Sequence, residues 1–230
     1  ADNGIDVLIG GTKQQLPAST RETLAGIAQR GGILRLIVGR DEIYQRAQPV
    51  LQIAGGNVRV PPGAFVQAVA GAETTMAAAV VNALGRAKHV ADLFCGLGTF
   101  ALPIARRARV LALDNQPEAI AALGDAVRHI QGLKPVDSRR RDLFREPLSR
   151  NELKPFDAVV FDPPRAGAAA QCEALAKSKV PCVIAVSCNP ATLARDLRTL
   201  VDGGYRLQQV TPLDQFLYGA HVEAVAILRR

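Results

Sequence analysis

The chain has 230 residues, of which 48% are hydrophobic and 21% charged, and its net charge is +7 at pH 7. This composition excludes a disordered chain and a coiled coil, and no apolar run approaches the length of a membrane span. The basic surplus allows a polyanionic partner, although aromatic residues make up only 4% of the chain and argue against a wide base-stacking surface. The chain begins at Ala1 and its single methionine is Met76, so we expect it to be part of a longer protein.

The four cysteines, Cys95, Cys172, Cys182 and Cys188, are scattered along the chain. They form no C-x-x-C pair and no Cys/His spacing suited to zinc, so we expect no bound metal. A chain of this length with an α/β pattern also argues against a disulfide framework. We therefore expect a cytoplasmic protein in which a functional cysteine serves catalysis.

Residues 1–62 alternate short apolar runs with turn residues and predict a small segment rich in strands. Strands are predicted within residues 5–11, 33–46 and 49–63, the last of them with a hairpin turn at residues 55–57. A helix is predicted over residues 19–32, capped by Ser19 or Thr20 and closed by Gly31 and Gly32.

Residues 63–230 change to a regular alternation of strands and helices, which predicts a parallel sheet covered by helices on both faces. The predicted helices span residues 71–86, 100–108, 117–130, 169–178 and 190–203. The predicted strands include residues 89–94, 109–114, 156–164, 181–188, 205–214 and 221–228. In such sheets ligands bind at the carboxyl ends of the strands, so the informative residues should follow strands.

A glycine-containing turn with Gly96 and Gly98 closes the first strong strand and opens a helix. It could bring the backbone close to a ligand, or it could be a packing turn only. Asp114 ends the next strand, where a carboxylate can accept hydrogen bonds from both ribose hydroxyls of a nucleoside. The third glycine of the dinucleotide fingerprint is missing, so the pattern favours S-adenosylmethionine over NAD.

Asp142 lies where the third strand of the alternation would end. Its carboxylate could accept from an adenine amino group, or it could cap a helix, and the sequence leaves both interpretations open. The preceding run of Arg139, Arg140 and Arg141 is equally compatible with a solvated face and with phosphate contacts.

Three further residues follow or begin buried strands near the carboxyl edge of the sheet. Asp162 precedes two prolines, which hold its carboxylate with little freedom. Cys188 ends a strand beside a predicted helix N-terminus, whose dipole should favour the thiolate and so a nucleophile. Glu223 lies in an apolar strand, where a carboxylate is either paired or has its pKa raised for proton transfer.

The runs DLFCGLGTFALPIA, FDPPRAG, VSCNPATLARDL and DQFLYGAHVEAV, in that order, resemble the RNA (uracil-5-)-methyltransferases. The resemblance covers at least residues 65–228 and implies a Rossmann-like, class I methyltransferase fold with a seven-stranded, mostly parallel sheet. It divides the chain into residues 1–62, similar to part of the family's small central domain, and a methyltransferase domain of residues 63–230. Family members usually carry more N-terminal sequence, including an RNA-binding domain.

The resemblance also implies a role for each site residue. Cys188 would add to C6 of a uracil, Glu223 would remove the C5 proton, and Asp162 would orient the base. S-Adenosylmethionine would be bound by Gln67, Phe94, Gly96, Gly98, Thr99, Asp114, Asp142 and Asp162. The implied partner is rRNA or tRNA, with neither DNA nor a membrane involved, and the implied oligomeric state is a monomer.

The chain departs from the family pattern at Val69 and Leu217, where Asn and Pro are common, and at Thr99, where Asn is frequent. Two other functions stay open. An N-methyltransferase would carry an aromatic residue where Arg165 stands, and would need no cysteine. A non-catalytic RNA-binding protein with a vestigial cofactor pocket would not need the combination of Asp114, Asp162, Cys188 and Glu223.

Overall fold

A computed structural model describes residues 1–11, 16–215, 219 and 221–230 of the chain. Its first part is a three-stranded sheet with one helix packed on it. Strand β1 (Asp6–Ile9) pairs in parallel with β2 (Arg35–Val38), which pairs antiparallel with β3 (Asp41–Gln45). Helix α1 (Ala18–Arg30) buries Ala28 against Leu36 and Val38.

The predicted cap of α1 is wrong, whereas its predicted end is confirmed. Pro17 precedes the helix with φ of −55°, and no side chain caps it, so Ser19 and Thr20 lie inside the first turn. Proline fixes a φ compatible with a helix start and has no N–H to satisfy. Gly31 ends the helix and Gly32 has a φ of +66°, a left-handed conformation that glycine adopts without a steric cost.

A hairpin of β4 (Val50–Ile53) and β5 (Gly56–Arg59) follows. Its two-residue turn is Ala54 and Gly55, both with positive φ, so the turn begins one residue earlier than predicted. Buried Ile53 and Val58 of the hairpin join the same apolar core as the large sheet described next. The division of the chain at residue 62 stays a prediction.

The remaining elements build a seven-stranded sheet in the order β11–β12–β10–β9–β6–β7–β8, in which only β12 runs antiparallel to its neighbours. This confirms the Rossmann-like α/β fold. The strands are β6 (His89–Leu93), β7 (Arg109–Asp114), β8 (Val136–Arg140), β9 (Ala158–Phe161), β10 (Cys182–Ser187), β11 (Arg206–Leu213) and β12 (Glu223–Arg229). The helices are α2 (Ala70–Ala83), α3 (Ala101–Ala105), α4 (Pro117–His129), α5 (Ala169–Ala176) and α6 (Pro190–Asp202).

Helices cover both faces of this sheet, as the alternation predicts. Buried residues of α2, α3 and α4 share one apolar cluster with the hairpin, and those of α5 and α6 share the other. Neighbouring residues of β6, such as Val90 and Ala91, belong to opposite clusters because side chains alternate along a strand. The central strands β9 and β10 are buried at every position, which is typical of parallel strands covered on both faces.

The order of the strands reverses between β6 and β9, and a ligand site is expected at the carboxyl edge beside such a reversal. Leu93 of β6 pairs with both Leu113 of β7 and Phe161 of β9. The residues that follow these positions therefore meet at one edge of the sheet. None of the helices in the described ranges is long and apolar enough to cross a membrane.

Candidate active site

A cavity of about 690 Å³ opens at this edge of the sheet. All of the predicted site residues line this cavity except Gly98. The lining set includes Gln67, Phe94, Gly96, Thr99, Asp114, Asp142, Asp162, Cys188 and Glu223. The structure thus brings together residues that are separated by up to about two thirds of the length of the chain, from Gln67 to Glu223.

The turn after β6 makes the floor of the cavity and is held by Asp114. Phe94 and Gly96 both have positive φ, +61° and +51°, which turns the chain sharply as it leaves the strand. The Gly96 N–H donates to Asp114 Oδ2 and the Gln116 N–H donates to Oδ1, both over 2.9 Å. A Cβ added to Gly96 would meet no atom within 4 Å, so this turn leaves open space beside the backbone.

Gly98 serves packing instead of lining the cavity. A Cβ at this position would lie 2.6 Å from Leu123 Cδ1 of α4 and 3.2 Å from Leu102 Cγ of α3. Its φ of +94° is also one that residues with a side chain rarely adopt. The missing side chain therefore lets two helices pack closely against the turn.

The wall beyond β8 combines aromatic rings with a capped turn. The rings of Phe94 and Phe144 lie with their centroids 5.3 Å apart, and Phe144 is 50% exposed. Asp142 Oδ1 accepts from the backbone N–H groups of Phe144 and Arg145, over 3.1 and 3.3 Å. Asp142 thus caps a turn and lines the cavity as well, while its contact with an adenine stays a prediction.

The three consecutive arginines are all engaged within the chain. Arg139 pairs with exposed Asp137, and Arg140 donates to the Asn115 carbonyl over 3.0 Å. Arg141 donates to both carboxylate oxygens of Glu152, over 2.5 and 3.2 Å, and this pairing lowers the pKa of Glu152 to about 2. Arg141 thereby ties the cavity wall to the loop that follows β8.

On the other side of the cavity, the sheet register places a thiol next to two carboxyl groups. Ser187 of β10 pairs with Ala224 of β12, so Cys188 and Glu223 follow at adjacent positions, and Asp162 comes directly after β9. Burial raises the pKa of Asp162 from 3.8 to about 7, with a further contribution from the charge of Glu223. Glu223 is only 3% exposed, and burial raises the pKa of its carboxyl group too.

The expectation that a helix N-terminus lowers the pKa of Cys188 is wrong. Helix α6 does begin at Pro190, with Asn189 as a cap that accepts from the Ala191 N–H over 3.1 Å. Burial nevertheless raises the pKa of the Cys188 thiol, and the nearby carboxylates of Glu223 and Asp162 raise it further. Arg165, which also lines the cavity, opposes this shift. The thiol is therefore protonated in the resting site.

Two buried side chains of the site were missed from the sequence. Gln215 is 6% exposed and donates to both Gln67 and Glu223. Asp92 of β6 is fully buried, and among the described residues its carboxyl oxygens accept no hydrogen bond from a side chain; only the Ala101 backbone opposes the rise of its pKa. Burial and the neighbouring Asp162 raise the pKa of Asp92 well above its usual range. The sequence signal for Asp92 was an acidic residue in an otherwise apolar strand, whereas no sequence signal pointed to Gln215. Leu217, where the chain departs from the family pattern, lies outside the described residues.

Comparisons with known proteins agree with this geometry. Residues 138–230 match the family described as tRNA (Uracil-5-)-methyltransferase, and residues 73–182 match one described as Conserved hypothetical protein 95. A Brucella suis protein named as an uncharacterized RNA methyltransferase is 52% identical over 229 residues, covering 100% of this chain and 55% of the relative. The 23S rRNA (uracil(1939)-C(5))-methyltransferase RlmD of Edwardsiella ictaluri is 34% identical, with 99% and 53% covered.

Among solved structures, the Pyrococcus abyssi tRNA (uracil-54, C5)-methyltransferase in complex with S-adenosyl-L-homocysteine superposes with a TM-score of 0.77 and 25% identity. The match covers 97% of this chain and 56% of that one. The chain spans about half the length of the curated relatives that it matches. On these grounds the chain belongs to the RNA (uracil-5-)-methyltransferase family.

Proposed function

We propose that this chain is the catalytic part of an enzyme that methylates C5 of a uridine in RNA through a covalent bond between Cys188 and C6 of the base. One observation carries the proposal. The Cys188 thiol and the buried Glu223 carboxyl group lie on adjacent strands at one side of a cavity whose other side holds Asp114. A nucleophile and a base are thus adjacent, with space for a nucleoside cofactor beside them.

The β6–β8 side of the cavity fits S-adenosylmethionine. Asp114 is held by two backbone N–H groups, and its remaining lone pairs are available to ribose hydroxyls. Phe94 and Phe144 offer ring faces for an adenine, and Gly96 leaves room for close approach. The volume of the cavity lies within the range of small-molecule sites. When bound, S-adenosylmethionine supplies an electrophilic methyl group.

The residues of the β9–β12 side supply what uracil C5 lacks, because C5 is a poor nucleophile. The Cys188 thiol loses its proton to solvent as its sulfur adds to C6, which moves the electrons of the C5–C6 double bond into the ring and makes C5 nucleophilic. Once C5 carries the methyl group, it still holds its hydrogen. Glu223 removes that proton, the C5–C6 double bond forms again, and the Cys188 thiolate leaves. The proton then passes from Glu223 to solvent, and the Cys188 thiolate takes up a proton, which restores the site.

RNA is the proposed substrate class, and the net charge of +7 favours a polyanion. The matched RlmD is named for a uracil of 23S rRNA and the Pyrococcus enzyme for a uracil of tRNA, so both RNA classes are candidates. A partly buried thiol and a buried carboxyl group that line a cavity require the uridine to be flipped out of its stack. Action as a monomer in the cytoplasm, without DNA substrates, stays a prediction.

The deciding experiment uses the full-length protein with S-adenosylmethionine and transcripts of tRNA and 23S rRNA that contain 5-fluorouridine. Fluorine at C5 cannot leave as a proton does, so the wild type should form a covalent adduct that survives a denaturing gel. Cys188→Ala should form none and transfer no methyl group. Cys172→Ala is the matched control, since Cys172 is buried in α5 and does not line the cavity.

Nucleoside mass spectrometry of the methylated RNA separates the alternatives. Methyl groups on amines, or full activity of Cys188→Ala, would contradict the covalent mechanism. Calorimetry that detects no binding of S-adenosylmethionine would favour a non-catalytic RNA-binding protein.

A further inference from the structure

A continuous chain of hydrogen bonds links the two acids of the site through two glutamine side chains. Gln67 Nε2 donates to Asp162 Oδ2 over 3.4 Å, and Gln215 Nε2 donates to Gln67 Oε1 over 3.1 Å. The same Gln215 nitrogen donates to Glu223 Oε1 over 3.2 Å. Gln215 therefore connects the segment before α2 with the first residue of β12.

The chemistry of its partners fixes how Gln215 is oriented. Ionised Asp162 can only accept, so Gln67 presents its amide nitrogen there and its oxygen to Gln215. Glu223 Oε1 is a second acceptor on the other side. The O and N of an amide are assigned in a structure from the hydrogen bonds that they make. Here both neighbours are acceptors, so only the amide nitrogen of Gln215, with its two hydrogens, can bond to both. Flipping Gln215 would oppose oxygen to oxygen at both contacts.

The burial of this group makes the arrangement consequential. Gln215 is 6% exposed and Glu223 is 3% exposed, so water is poorly placed to replace a lost hydrogen bond. Gln215 Oε1 and Glu223 Oε2 have no hydrogen-bond partner among the described residues. A proton on Glu223 would turn one of these two acceptors into a donor. The chain is therefore suited to a carboxyl group that alternates between its ionised and its neutral form.

We infer that Gln215 is a positioning residue that holds Glu223 in the orientation, and in the ionised form, needed to take the C5 proton. The inference deepens the proposed function and rests on it. Gln215 itself does not line the cavity, so it acts through Glu223 and Gln67 without touching the base. Its loss should slow the final step, in which the C5 proton departs and Cys188 is released, more than it affects the earlier steps.

The charge around Glu223 supports this assignment. The charge of Glu223 raises the pKa of Asp162, beyond β9, and of Cys188, beyond β10. Arg165 acts on Cys188 in the opposite direction, and His221, which contacts Arg165, lines the same cavity. Burial raises the pKa of Glu223, and the hydrogen bond from Gln215 opposes that shift. Removal of the donor should therefore raise the pKa of Glu223 further, so that a higher pH is needed to ionise it.

The test compares full-length wild type with Gln215→Met, which keeps an unbranched side chain of similar length but has no donor. Each protein is mixed with radiolabelled S-adenosylmethionine and unmodified tRNA and 23S rRNA transcripts, and adducts are resolved on denaturing gels over a range of pH. Gln215→Met should lower kcat by about 10- to 100-fold, as loss of a hydrogen bond to a charged group does. KM should change little, methylated adduct should accumulate, and the rise of adduct release with pH should shift upward by about one unit.

Gln209→Met is the matched control, because Gln209 is an exposed residue of β11 whose side-chain nitrogen donates to the Thr211 hydroxyl, away from the cavity. It should behave as the wild type. Gln215→Glu keeps the shape of the side chain and covers the case in which Gln215→Met does not fold. It presents a carboxylate to Glu223, and it should also accumulate adduct, with the largest defect at high pH where both acids ionise.

Three outcomes would overturn the inference while the proposed function stands. The first is adduct release at the wild-type rate and with the wild-type pH dependence in both Gln215 variants. The second is a defect confined to KM, and the third is a defect explained by lower thermal stability alone. By contrast, a wild type that makes no 5-methyluridine would refute the proposed function, whatever the Gln215 variants do.

Discussion

The two sides of the cavity treat their carboxyl groups in opposite ways. On the β6–β8 side, Asp114 and Asp142 accept hydrogen bonds from backbone N–H groups of the turns that they close. On the β9–β12 side, Asp162 and Glu223 are crowded together, and burial raises the pKa of both. In the proposed function, the first side holds the cofactor in place, whereas the second carries the groups that gain and lose protons.

This difference shows why a single wall could not serve both purposes. A carboxylate that accepts two backbone N–H groups has its position fixed by the turn that it closes, as at Asp114 and Asp142. A buried carboxyl group with few donors keeps a pKa near the working pH, which suits proton transfer. Variants on the two sides should therefore fail in different measurements.

Glu223→Gln should give the largest effect and defines the β9–β12 side. The amide keeps the shape of the side chain but cannot accept the C5 proton, so turnover should fall by about 10²–10⁴-fold. Binding of S-adenosylmethionine, measured by calorimetry, should be unchanged. The methylated adduct of Cys188 with natural RNA should accumulate on denaturing gels; an unaltered turnover would show that another group is the base.

Asp114→Ala should damage the β6–β8 side alone. It removes the acceptor for the Gly96 and Gln116 N–H groups and the proposed partner of the ribose. We expect the Kd for S-adenosylmethionine to rise by about 10- to 100-fold, as with the loss of hydrogen bonds to a charged group. At saturating cofactor the pH dependence of adduct release should match the wild type. A shifted profile would mean that the two sides are not independent.

Asp162→Asn tests the β9–β12 side through the pH dependence of the free energy of unfolding. Because the folded pKa of Asp162 is about 7 and the ordinary value is 3.8, the folded state binds more protons than the unfolded state between those limits. The free energy of unfolding of the wild type should therefore fall as pH rises through this window. The variant should lack that loss, so its free energy of unfolding should gain on the order of 4 kcal/mol relative to the wild type at pH 8 compared with pH 4. Urea unfolding of both proteins at pH 4 and pH 8 measures this difference. An equal change in the free energy of unfolding of the two proteins between these pH values would contradict the burial of charge at Asp162.

Arg139→Ala should have the smallest effect and tests whether the arginine run serves RNA. Arg139 pairs with Asp137 on the surface, where solvent screens the ion pair so that it contributes little to stability. Removal should leave the free energy of unfolding, measured in urea, nearly unchanged. Cofactor affinity should also stay at the wild-type value. A steep loss of RNA affinity that weakens with salt would instead assign this residue to phosphate binding.

The sequence was sufficient for the fold because its signals are local. The run at residues 109–114 is an apolar strand ending in an acid, and β7 has those bounds. Signals that depend on tertiary placement were insufficient. The pKa of Cys188 is raised by burial and then by the two carboxyl groups that the sheet brings beside it, and neither is visible in the order of the residues. Gln215 meets Glu223 because β11 and β12 pair, which its place in the sequence does not reveal. Helix α1 begins after Pro17 without a side-chain cap, although Ser19 and Thr20 were equally plausible caps in the sequence.

The antiparallel direction of β12 has a consequence for how accurately the base can be located. Glu223 opens a strand that pairs regularly with β10 and, beyond an irregularity between Leu207 and Gln209, with the end of β11: Glu223 lies opposite Leu213, and Ala224 lies opposite Ser187. Successive side chains of a strand point to opposite faces, so a slip of one residue would not displace this carboxyl group slightly but would send it to the other face. The strand register that places Glu223 beside Cys188 is therefore either correct or lost altogether. Mutations that weaken β12 should therefore yield mixtures of fully active and inactive molecules, in place of a uniform population with reduced activity.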